Sequence, residues 1–341
     1  MALLEVTDLK TYFRTDDGIV KAVDGVTFSV EKGKTLGIVG ESGCGKSVTC
    51  LTIMGLNPKK SAIISGQALF KGEDLLAMPG KRLREIRGNE IAMIFQDPMT
   101  SLNPVYTIGK QLVEAVLLHN DDISSKQAKA RAVESLKAVG IPRADQRVDD
   151  YPHQFSGGMR QRVMIAMALI NNPDLLIADE PTTALDVTTQ AQILKLMNEL
   201  RERFGSAIIM ITHDLGVVAE TADDVAVMYA AKIQEEASVD DLFHHPQHPY
   251  TWGLLGSLPR LDEDVDRLTQ IPGQPPSLLR PPVGCRFNPR CDYTMDICIR
   301  EEPTLDQVAG RPEHFGRCWL DQPTKDRESV KFGAERLAEA V

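Results

Sequence analysis

Residues 35–49 read TLGIVGESGCGKSVT, and this stretch decides the fold. The apolar run at 36–39 predicts a buried parallel strand that ends at Gly40. Residues 40–47 then have the spacing G-x-x-x-x-G-K-S of a phosphate-binding loop, in which Lys46 and Ser47 are the last two residues. Because a strand pattern precedes the loop and a helix pattern follows it, we predict a phosphate site between the two elements.

Each residue type in this loop has a physical role. Gly40, Gly43 and Gly45 allow the backbone to form a concave nest whose N–H groups point at phosphate oxygens. The positive end of the following helix adds to the attraction for anions. Lys46 is expected to contact the β- and γ-phosphates, and the Ser47 hydroxyl is expected to bind Mg²⁺.

Composition limits the classes of function. The chain has 341 residues, a formal net charge of −10 and 43% hydrophobic residues, which is typical of a globular protein with two or three domains. The acidic balance argues against a general nucleic-acid binder. The longest apolar run, Val163 to Ile170, is too short to span a membrane. The start MALLEVTDLK has no signal-peptide pattern, so we expect a cytosolic protein.

Polar side chains end three further apolar runs, and one of these runs, 207–211, is followed by Thr212, His213 and Asp214. The buried strand pattern at 175–178 is followed by Asp179 and Glu180, and two adjacent acids there are unfavourable unless a cation or a proton transfer uses them. Gln96 follows the short strand pattern at 91–95, where an amide could reach Mg²⁺ or an attacking water. The alternation of strand and helix patterns predicts a parallel α/β sheet.

Two other segments carry readable patterns. Apolar residues at helical spacing predict a helical insertion at roughly 100–160. Ser156, Gly157 and Gly158 then predict a capped helix start. Near the N-terminus, alternation at 2–9 and 22–30 predicts half-buried strands, with Tyr12-Phe13 between them. These aromatics fit either an ordinary core position or a platform for an adenine ring.

Five motifs in this order identify a resemblance. They are GESGCGKS, FQDP, FSGGMRQR, LLIADEPTTALD and ITHD, and together they resemble the ATP-binding subunits of ABC transporters over about residues 1–240. The segments HPQHPYT at 245–251 and IPGQPP at 271–276, with a late cysteine cluster, resemble the dipeptide and oligopeptide importer type. The signature departs from the common LSGGQ form at Phe155 and Met159, and Ala231 stands where many relatives have glycine in a turn.

The resemblance implies an α/β fold. It implies an ABC-type P-loop NTPase with a parallel-sheet core, an N-terminal antiparallel β subdomain and the helical insertion, all within residues 1–240. Residues 241–341 would form a small, cysteine-containing C-terminal extension of the peptide-importer type.

The resemblance also implies the site residues. Glu180 would be the general base, His213 would contact the γ-phosphate, and Gln96 would sense that phosphate and signal to the permease. Asp179 would support Mg²⁺ together with Ser47 and Gln96. Ser156, Gly157 and Gly158 would complete the site of the opposite subunit, which Asp186 would contact. The full set expected to bind nucleotide is Phe13 (or Tyr12), Gly40, Ser42, Gly43, Cys44, Gly45, Lys46, Ser47, Val48, Gln96, Ser156, Gly157, Gly158, Asp179 and Asp186.

The resemblance further implies function, partners and location. The chain would hydrolyse MgATP to drive peptide import, at the cytoplasmic face of the inner (plasma) membrane. Its partners would be two transmembrane permease subunits, a second ABC ATPase subunit that is identical or homologous, and an extracytoplasmic peptide-binding protein, with no nucleic acid. Import of nickel or another small solute is the alternative within transport, and a soluble ABC ATPase in DNA repair or translation is the alternative outside it.

The four late cysteines have the spacing C-x5-C-x6-C-x19-C and are Cys285, Cys291, Cys298 and Cys318. In a reducing compartment such a cluster indicates a metal rather than disulfides. Four thiolates fit a [4Fe–4S] cluster or tetrahedral zinc, and the lack of C-x2-C pairs favours the iron–sulfur cluster. Cysteines that bind no metal and pack as small buried hydrophobes are the third alternative. Three arginines nearby in sequence could offset the cluster's negative charge: Arg286, Arg290 and Arg317. His244, His245 and His248 are expected to be surface and capping residues rather than metal ligands.

Overall fold

The computed structural model describes residues 2–96, 101–182, 186–258 and 271–332. The chain forms two compact units, each assembled from separate segments. The first consists mainly of Val30–Lys34 and Ala77–Ile211, and the second of Leu4–Ser29, Thr35–Leu76 and the chain from Thr212 onward. The phosphate loop therefore shares a unit with the C-terminal region.

The strands are β1 Ala2–Thr15, β2 Gly18–Glu31, β3 Thr35–Val39, β4 Ala62–Phe70, β5 Glu73–Asp74, β6 Ile91–Ile94, β7 Leu175–Asp179, β8 Ala207–Thr212, β9 Asp224–Tyr229, β10 Lys232–Ser238, β11 Asp306–Gln307 and β12 Phe315–Gly316. The helices are α1 Lys46–Ile53, α2 Gly80–Ile86, α3 Ile108–Leu117, α4 Ser125–Ala138, α5 Ala144–Arg147, α6 Gly157–Leu169, α7 Val187–Phe204, α8 Leu215–Thr221, α9 Val239–His244, α10 Pro249–Gly256, α11 Asp296–Arg300 and α12 Gln322–Ser329. Single 3₁₀ turns lie at Pro152–Gln154 and Asn288–Arg290.

In the second unit an N-terminal sheet has the strand order β2-β1-β4-β5. β1 pairs antiparallel with β4, and β4 with β5, as expected for the N-terminal subdomain. Buried and exposed residues alternate along the second half of β2, because only one face of this sheet packs on a core. The strands extend beyond the predicted 2–9 and 22–30, since the polar turn between them occupies only residues 16 and 17.

Further strands of this unit pair with one another next to the phosphate-loop strand, β3. β3 is buried along its whole length and runs parallel to β9. β10 pairs antiparallel with β9. β12 pairs antiparallel with β10 on its other side, and β11 pairs antiparallel with β12 at the edge. Ala230 and Ala231, both at positive φ, form the two-residue turn between β9 and β10. The Ala231 N–H donates to the Cys44 carbonyl, so this turn touches the phosphate loop.

The first unit is built on three parallel strands. β6 pairs with β7, and β7 pairs with β8, with Asp179 opposite Ile211. β7 and β8 are wholly buried, as is typical of parallel strands that are covered on both faces. The predicted helical insertion is present as α3, α4, α5 and the start of α6, and Ser124 begins α4 with a capping box to Gln127.

The C-terminal region packs its own aromatic core onto β9. Tyr229, Tyr250 and Phe287 contact one another, with ring centroids 4.6 to 5.4 Å apart. Cys285 and Cys298 belong to the same buried cluster. Among the described residues, no helix is both long and apolar enough to cross a bilayer.

Candidate functional site

The phosphate loop is constrained by the backbone of two neighbouring strands. Gly40 has φ +147°, and a Cβ built there would lie 2.1 Å from the Met228 carbonyl oxygen. Gly45 has φ +110°, and its Cβ would lie 2.3 Å from the Ala22 carbonyl oxygen. No side chain fits at either position without moving a backbone, so β9 and β2 dictate these two glycines. The loop ends where α1 begins, at Lys46.

Lys46 is buried and bends back over its own loop. Its Nζ donates to the carbonyl oxygens of Gly40 at 2.6 Å and Glu41 at 3.0 Å. The ammonium is thereby held inside the concave loop, where it can exchange a carbonyl for a phosphate oxygen. Burial raises the pKa of the Cys44 thiol, so this cysteine is a neutral packing residue and not a thiolate.

Glu180 and Gln96 are brought together in the first unit. Gln96 Nε2 donates to Glu180 Oε2 at 2.8 Å, and the Glu180 backbone N–H donates to the Ile211 carbonyl at 2.9 Å. They meet because both follow parallel strands, β6 and β7, whose carboxyl ends lie at one edge of the sheet. Glu180 has φ +47°, a strained conformation for a residue other than glycine. Strain of this kind is concentrated at functional sites. Asp179, one residue earlier, is buried at the end of β7.

His213 belongs to the second unit, as does the phosphate loop. It directly follows β8 and is exposed, while the next residue, Asp214, begins α8 by accepting from the N–H groups of Gly216 and Val217. The imidazole is therefore presented at the carboxyl end of a buried strand, on a turn that a helix cap fixes. That His213 follows a strand agrees with the apolar run at 207–211.

The signature segment and Asp186 lie beside each other in the first unit. Ser156 accepts from the Met159 N–H and begins α6, as predicted. Asp186 accepts from the Thr189 N–H at 2.9 Å and begins α7. A Cβ on Gly158 would lie 2.9 Å from the Thr189 methyl group, so the two helix starts are in contact. Ser156, Gly157 and Asp186 are all exposed. The motif residues Asp97, Pro98 and 183–185 lie outside the described residues.

The two N-terminal aromatics have different surroundings. The Tyr12 hydroxyl donates to the Asp24 carboxylate, which also accepts from Arg286. Burial, followed by this hydrogen bond, raises the pKa of Tyr12 above its ordinary value. Phe13, which pairs with Ala62 on β4, is half-buried and has no polar tether. Phe13 rather than Tyr12 thus remains available to stack on a ring.

The four late cysteines converge on one small cavity that His248, Phe287 and Trp319 also line. The cysteines are Cys285, Cys291, Cys298 and Cys318. All six cysteines lie within the described residues, and none forms a disulfide. Burial raises the pKa of Cys285 to about 12 and that of Cys291 to about 11, so these thiols are neutral in the protein alone.

The side-chain positions do not support a metal site as such. Within residues 2–96, 101–182, 186–258 and 271–332, no three His, Cys, Asp or Glu side chains are placed so that they could hold a metal ion. A single zinc ion requires sulfurs about 2.3 Å from one point, and this arrangement is absent from the described cysteines. What the structure does provide is four thiols around a common cavity.

The expectation that His248 lies at the surface is wrong. His248 is buried rather than exposed, although it does cap α10 by accepting from the Tyr250 N–H at 3.0 Å. Burial, with Lys325 and Arg317 nearby, lowers the pKa of His248 to about 3. The arginines also have partners other than the cysteines, because Arg286 bonds Asp24 and Arg317 bonds backbone carbonyls.

Arg290 makes a contact that the sequence did not indicate. Its guanidinium forms a two-pronged ion pair with Glu41 of the phosphate loop, 249 residues away in sequence. Burial lowers the pKa of Arg290, but hydrogen bonds to Glu41 and Tyr229 outweigh this effect and keep it above its ordinary value. In the sequence Arg290 stands beside Cys291, which indicates only a positive charge near the cysteines. No local sequence pattern points to the distant carboxylate of Glu41.

Comparison with known families gives two matches along the chain. The sequence model of the ABC transporter family matches residues 23–183. The model of the oligopeptide/dipeptide transporter C-terminal region matches residues 234–298. The two matches therefore cover the phosphate loop and most of the cysteine cluster in succession.

Relatives match over nearly the full length. The dipeptide transport ATP-binding protein DppD of Lactococcus lactis is 56% identical over 321 residues, which is 94% of this chain and 91% of that protein. The oligopeptide transport ATP-binding protein OppD of Bacillus subtilis is 53% identical over 98% of this chain and 95% of its own length. Among solved structures, the dimeric post-hydrolysis state of the ATP-binding cassette MJ0796, bound to ADP and Pi, has a TM-score of 0.62 at 26% identity, and covers 69% of this chain and 98% of its own.

Proposed function

This chain belongs to the ABC transporter family, and we propose that it is the subunit that hydrolyses ATP to drive peptide import through a membrane permease. The observation that carries the proposal is the pairing of Glu180 with Gln96 at the edge of the parallel sheet. This pair, on a strained backbone, accompanies a phosphate loop in which Gly40 and Gly45 cannot be replaced without moving a strand. The relatives named above are peptide transport proteins, which favours peptides over nickel as the solute.

The nucleotide would be bound mainly by the second unit. We assign the phosphates to the loop from Gly40 to Ser47 and the start of α1, including Val48, with Lys46 contacting the β- and γ-phosphates. Phe13 would stack on the adenine ring. Mg²⁺ would be held by Ser47, Gln96 and Asp179, whose hydroxyl, amide and carboxylate oxygens are ligands that this ion accepts.

Hydrolysis would depend on positioning and charge. Glu180 would accept the proton of the attacking water, since its carboxylate is held in place by Gln96 and by its own backbone bond to Ile211. His213 would donate a hydrogen bond to the γ-phosphate. Phosphoryl transfer needs little covalent help from the protein, so these contacts would supply most of the rate enhancement.

A second ATPase subunit would complete each site. Ser156, Gly157 and Asp186 are exposed at the starts of two adjoining helices, α6 and α7, so another chain can reach them. Helix N-termini attract phosphate groups. We propose that this surface, with Gly158, acts on nucleotide bound by the opposite subunit, and that an isolated chain is a poor ATPase.

The helical insertion would dock on the permease. A surface hollow beside α3 is lined by Tyr106, Lys110, Val113, Glu114, Leu117 and Leu118. Leu118 is 70% exposed there, and exposed apolar side chains around a hollow are typical of interaction sites. We therefore propose two permease subunits as partners and peripheral association with the cytoplasmic face of the membrane. A peptide-binding protein outside the cytoplasm would deliver the solute. Within the chain, we propose that residues 1–240 are the ATPase domain and residues 241–341 its extension.

We also propose that the four late cysteines hold a [4Fe–4S] cluster that pins the C-terminal extension. The support is the donor set: four cysteines outside any disulfide line one cavity, and a cluster spreads its ligands more widely than a single ion does. The cluster's role would be structural, and no step of ATP hydrolysis depends on it.

Anaerobic purification of the full chain tests this cluster. The protein should be brown, absorb broadly near ~400 nm and contain about four irons per chain. Cys298→Ser should bleach it and loosen the extension, whereas Cys50→Ala, in α1, should leave the colour unchanged. Colourless protein with one tightly held zinc would decide for a zinc site. Metal-free protein of unchanged stability would mean that the cysteines are small buried hydrophobes.

Affinity purification from membranes tests the transport function. We expect two permease subunits and an ATPase subunit to co-purify, and ATP hydrolysis by the reconstituted complex to be stimulated by peptides with their binding protein. The Lys46→Ala variant should co-purify equally well but show no stimulation. Stimulation by nickel and not by peptides would move the assignment to a metal importer, and failure to recover membrane proteins would contradict the transporter role.

A further inference from the structure

Glu41, the second residue of the phosphate loop, is held from two sides by the C-terminal extension. Its backbone N–H donates to the Tyr250 hydroxyl at 2.9 Å. Its two carboxylate oxygens accept from Arg290, Oε2 from Nη1 at 2.6 Å and Oε1 from Nη2 at 3.0 Å. Two parallel N–H···O bonds of this kind are the most directional contact between an arginine and a carboxylate. The extension thus contacts the phosphate loop directly.

Arg290 is fixed independently of Glu41. Its Nε donates to the Pro272 carbonyl at 2.8 Å, Nη2 also donates to the Ile271 carbonyl, and Nη1 also reaches the Tyr229 hydroxyl. Only 3% of its side chain is exposed, compared with 29% for Glu41. A buried guanidinium with this many partners is a rigid positive charge, whereas the carboxylate is the movable member of the pair.

The charge of Glu41 matters because of where the residue lies. Its own carbonyl oxygen accepts from Lys46 Nζ, the group that contacts phosphates in a loop of this kind. A carboxylate on this loop is within about a Debye length of the phosphate position, so an unpaired negative charge there would repel a triphosphate. The arginine neutralises that charge and holds it in one place.

We propose that Arg290 is a positioning residue of the ATP site: it cancels the charge of Glu41, so that tight binding of ATP requires the C-terminal extension. The inference rests on the proposed function, since it presumes that the loop binds ATP. It makes the extension part of the nucleotide site and not only an appendage. A purely structural role, here called a mechanical strut, in which the ion pair only holds the extension on the loop, would also explain the contact. The two roles differ in the effect they predict on ATP affinity: a strut is weakened equally by Arg290→Gln and Glu41→Gln, whereas charge cancellation is lost only in Arg290→Gln.

Equilibrium binding of the fluorescent analogues MANT-ATP and MANT-ADP to the full chain tests the proposal. Arg290→Gln should weaken MANT-ATP binding at least about tenfold, and MANT-ADP binding less, because ADP carries less charge. Tenfold corresponds to 1.4 kcal/mol, the size expected for one uncompensated charge about 10 Å away at an effective dielectric constant of about 20. Glu41→Gln should bind MANT-ATP at least as tightly as the wild type, and the double variant should lie within about threefold of it.

Two further variants serve as controls. Arg300→Gln removes an exposed arginine from the same extension, one that pairs only with Asp296 on its own helix among its described contacts, and should bind like the wild type. Arg290→Lys keeps the charge and loses the fork, so it should bind MANT-ATP within about threefold of the wild type. If thermal melting shows that Arg290→Gln does not fold, the lysine variant and Glu41→Gln decide the question.

The outcomes separate cleanly. Equal weakening by Arg290→Gln and Glu41→Gln would mean a mechanical strut and overturn the proposal, as would an unchanged affinity in Arg290→Gln. A double variant no better than Arg290→Gln would also overturn it. If Arg290→Gln cannot be measured, a MANT-ATP affinity weakened more than threefold by Glu41→Gln or by Arg290→Lys would likewise overturn the proposal. Failure of the wild type to bind MANT-ATP would instead contradict the proposed ATPase function.

Discussion

The substitution Glu180→Gln tests the assigned general base with little structural disturbance. Glutamine has almost the same shape, and its amide oxygen can still accept from Gln96 Nε2, which lies 2.8 Å from Glu180 Oε2. The backbone bond to Ile211 is unaffected, and the positive φ of residue 180 strains either side chain equally. The variant should therefore fold and bind MgATP with the affinity of the wild type.

What the amide cannot do is accept a proton from water. Loss of a general base typically slows a reaction about 10²- to 10⁴-fold, which at 1.36 kcal/mol per tenfold raises the barrier by about 3 to 5.5 kcal/mol. We expect a decrease of this size in phosphate release by the assembled transporter at saturating MgATP. MANT-ATP binding to the full chain, measured in parallel, should change less than twofold.

A matched control removes a carboxylate that has no part in the site. Glu134→Gln replaces an exposed acid on α4 that pairs with Lys137, and should hydrolyse ATP at the wild-type rate. If Glu180→Gln also retained the wild-type rate, another group would have to accept the proton. If it lost MgATP binding as well, Glu180 would act in holding the nucleotide and not in the chemical step.

Two predictions concern stability, each measured by urea unfolding. Burial, with Asp224 nearby, raises the pKa of Glu236 from 4.5 to about 7. The contribution of Glu236 to the free energy of unfolding is therefore full below pH 4.5 and is lost as the pH rises through 7. Glu236→Gln should therefore be more stable than the wild type at pH 8, by about 1–3 kcal/mol, but not at pH 4.5, while Glu5→Gln at an exposed strand position should show no such difference. Gly45→Ala should lower the free energy of unfolding by about 2–4 kcal/mol, because the new Cβ meets the Ala22 carbonyl. If Gly43→Ala lowered it by the same amount, this reason would be wrong. Gly43→Ala, with nothing within 4 Å of the new Cβ, should cost only about 1 kcal/mol.

Much of the site could be predicted because its chemistry is local. The phosphate loop is encoded by consecutive residues, since the glycines, Lys46 and Ser47 must occupy one strand-to-helix turn. Likewise, Ser156 and Asp186 cap helices that begin at the next residue. Apolar runs predict the parallel strands, and the acids at the end of β7, Asp179 and Glu180, are conspicuous because burial there is unfavourable without a partner. These signals extend over a few residues and need no knowledge of the rest of the chain.

Other features depended on contacts between distant segments. Tyr12 and Phe13 are adjacent aromatic residues, and only the position of Asp24 shows that the Tyr12 hydroxyl is tethered while the Phe13 ring is not. Prolines flank His248 at a helix start and predict a surface position, yet its side chain is buried. The spacing of the cysteines indicated a cluster but not that all four would line one cavity.

The sequence by itself determined the family, the parallel α/β core, the phosphate-loop motif and the two adjacent acids, Asp179 and Glu180, at the end of a buried strand. Short motifs achieve this because hydrogen bonding, helix capping and backbone conformation act within a few residues. Only the tertiary structure decided that Arg290 pairs with Glu41, that Glu180 meets Gln96, and that Gly45 faces the Ala22 carbonyl. Such contacts join residues far apart in the chain, and their partners are set by how strands and the extension pack. An ion pair leaves no local periodicity, so its two halves cannot be matched before the fold brings them together.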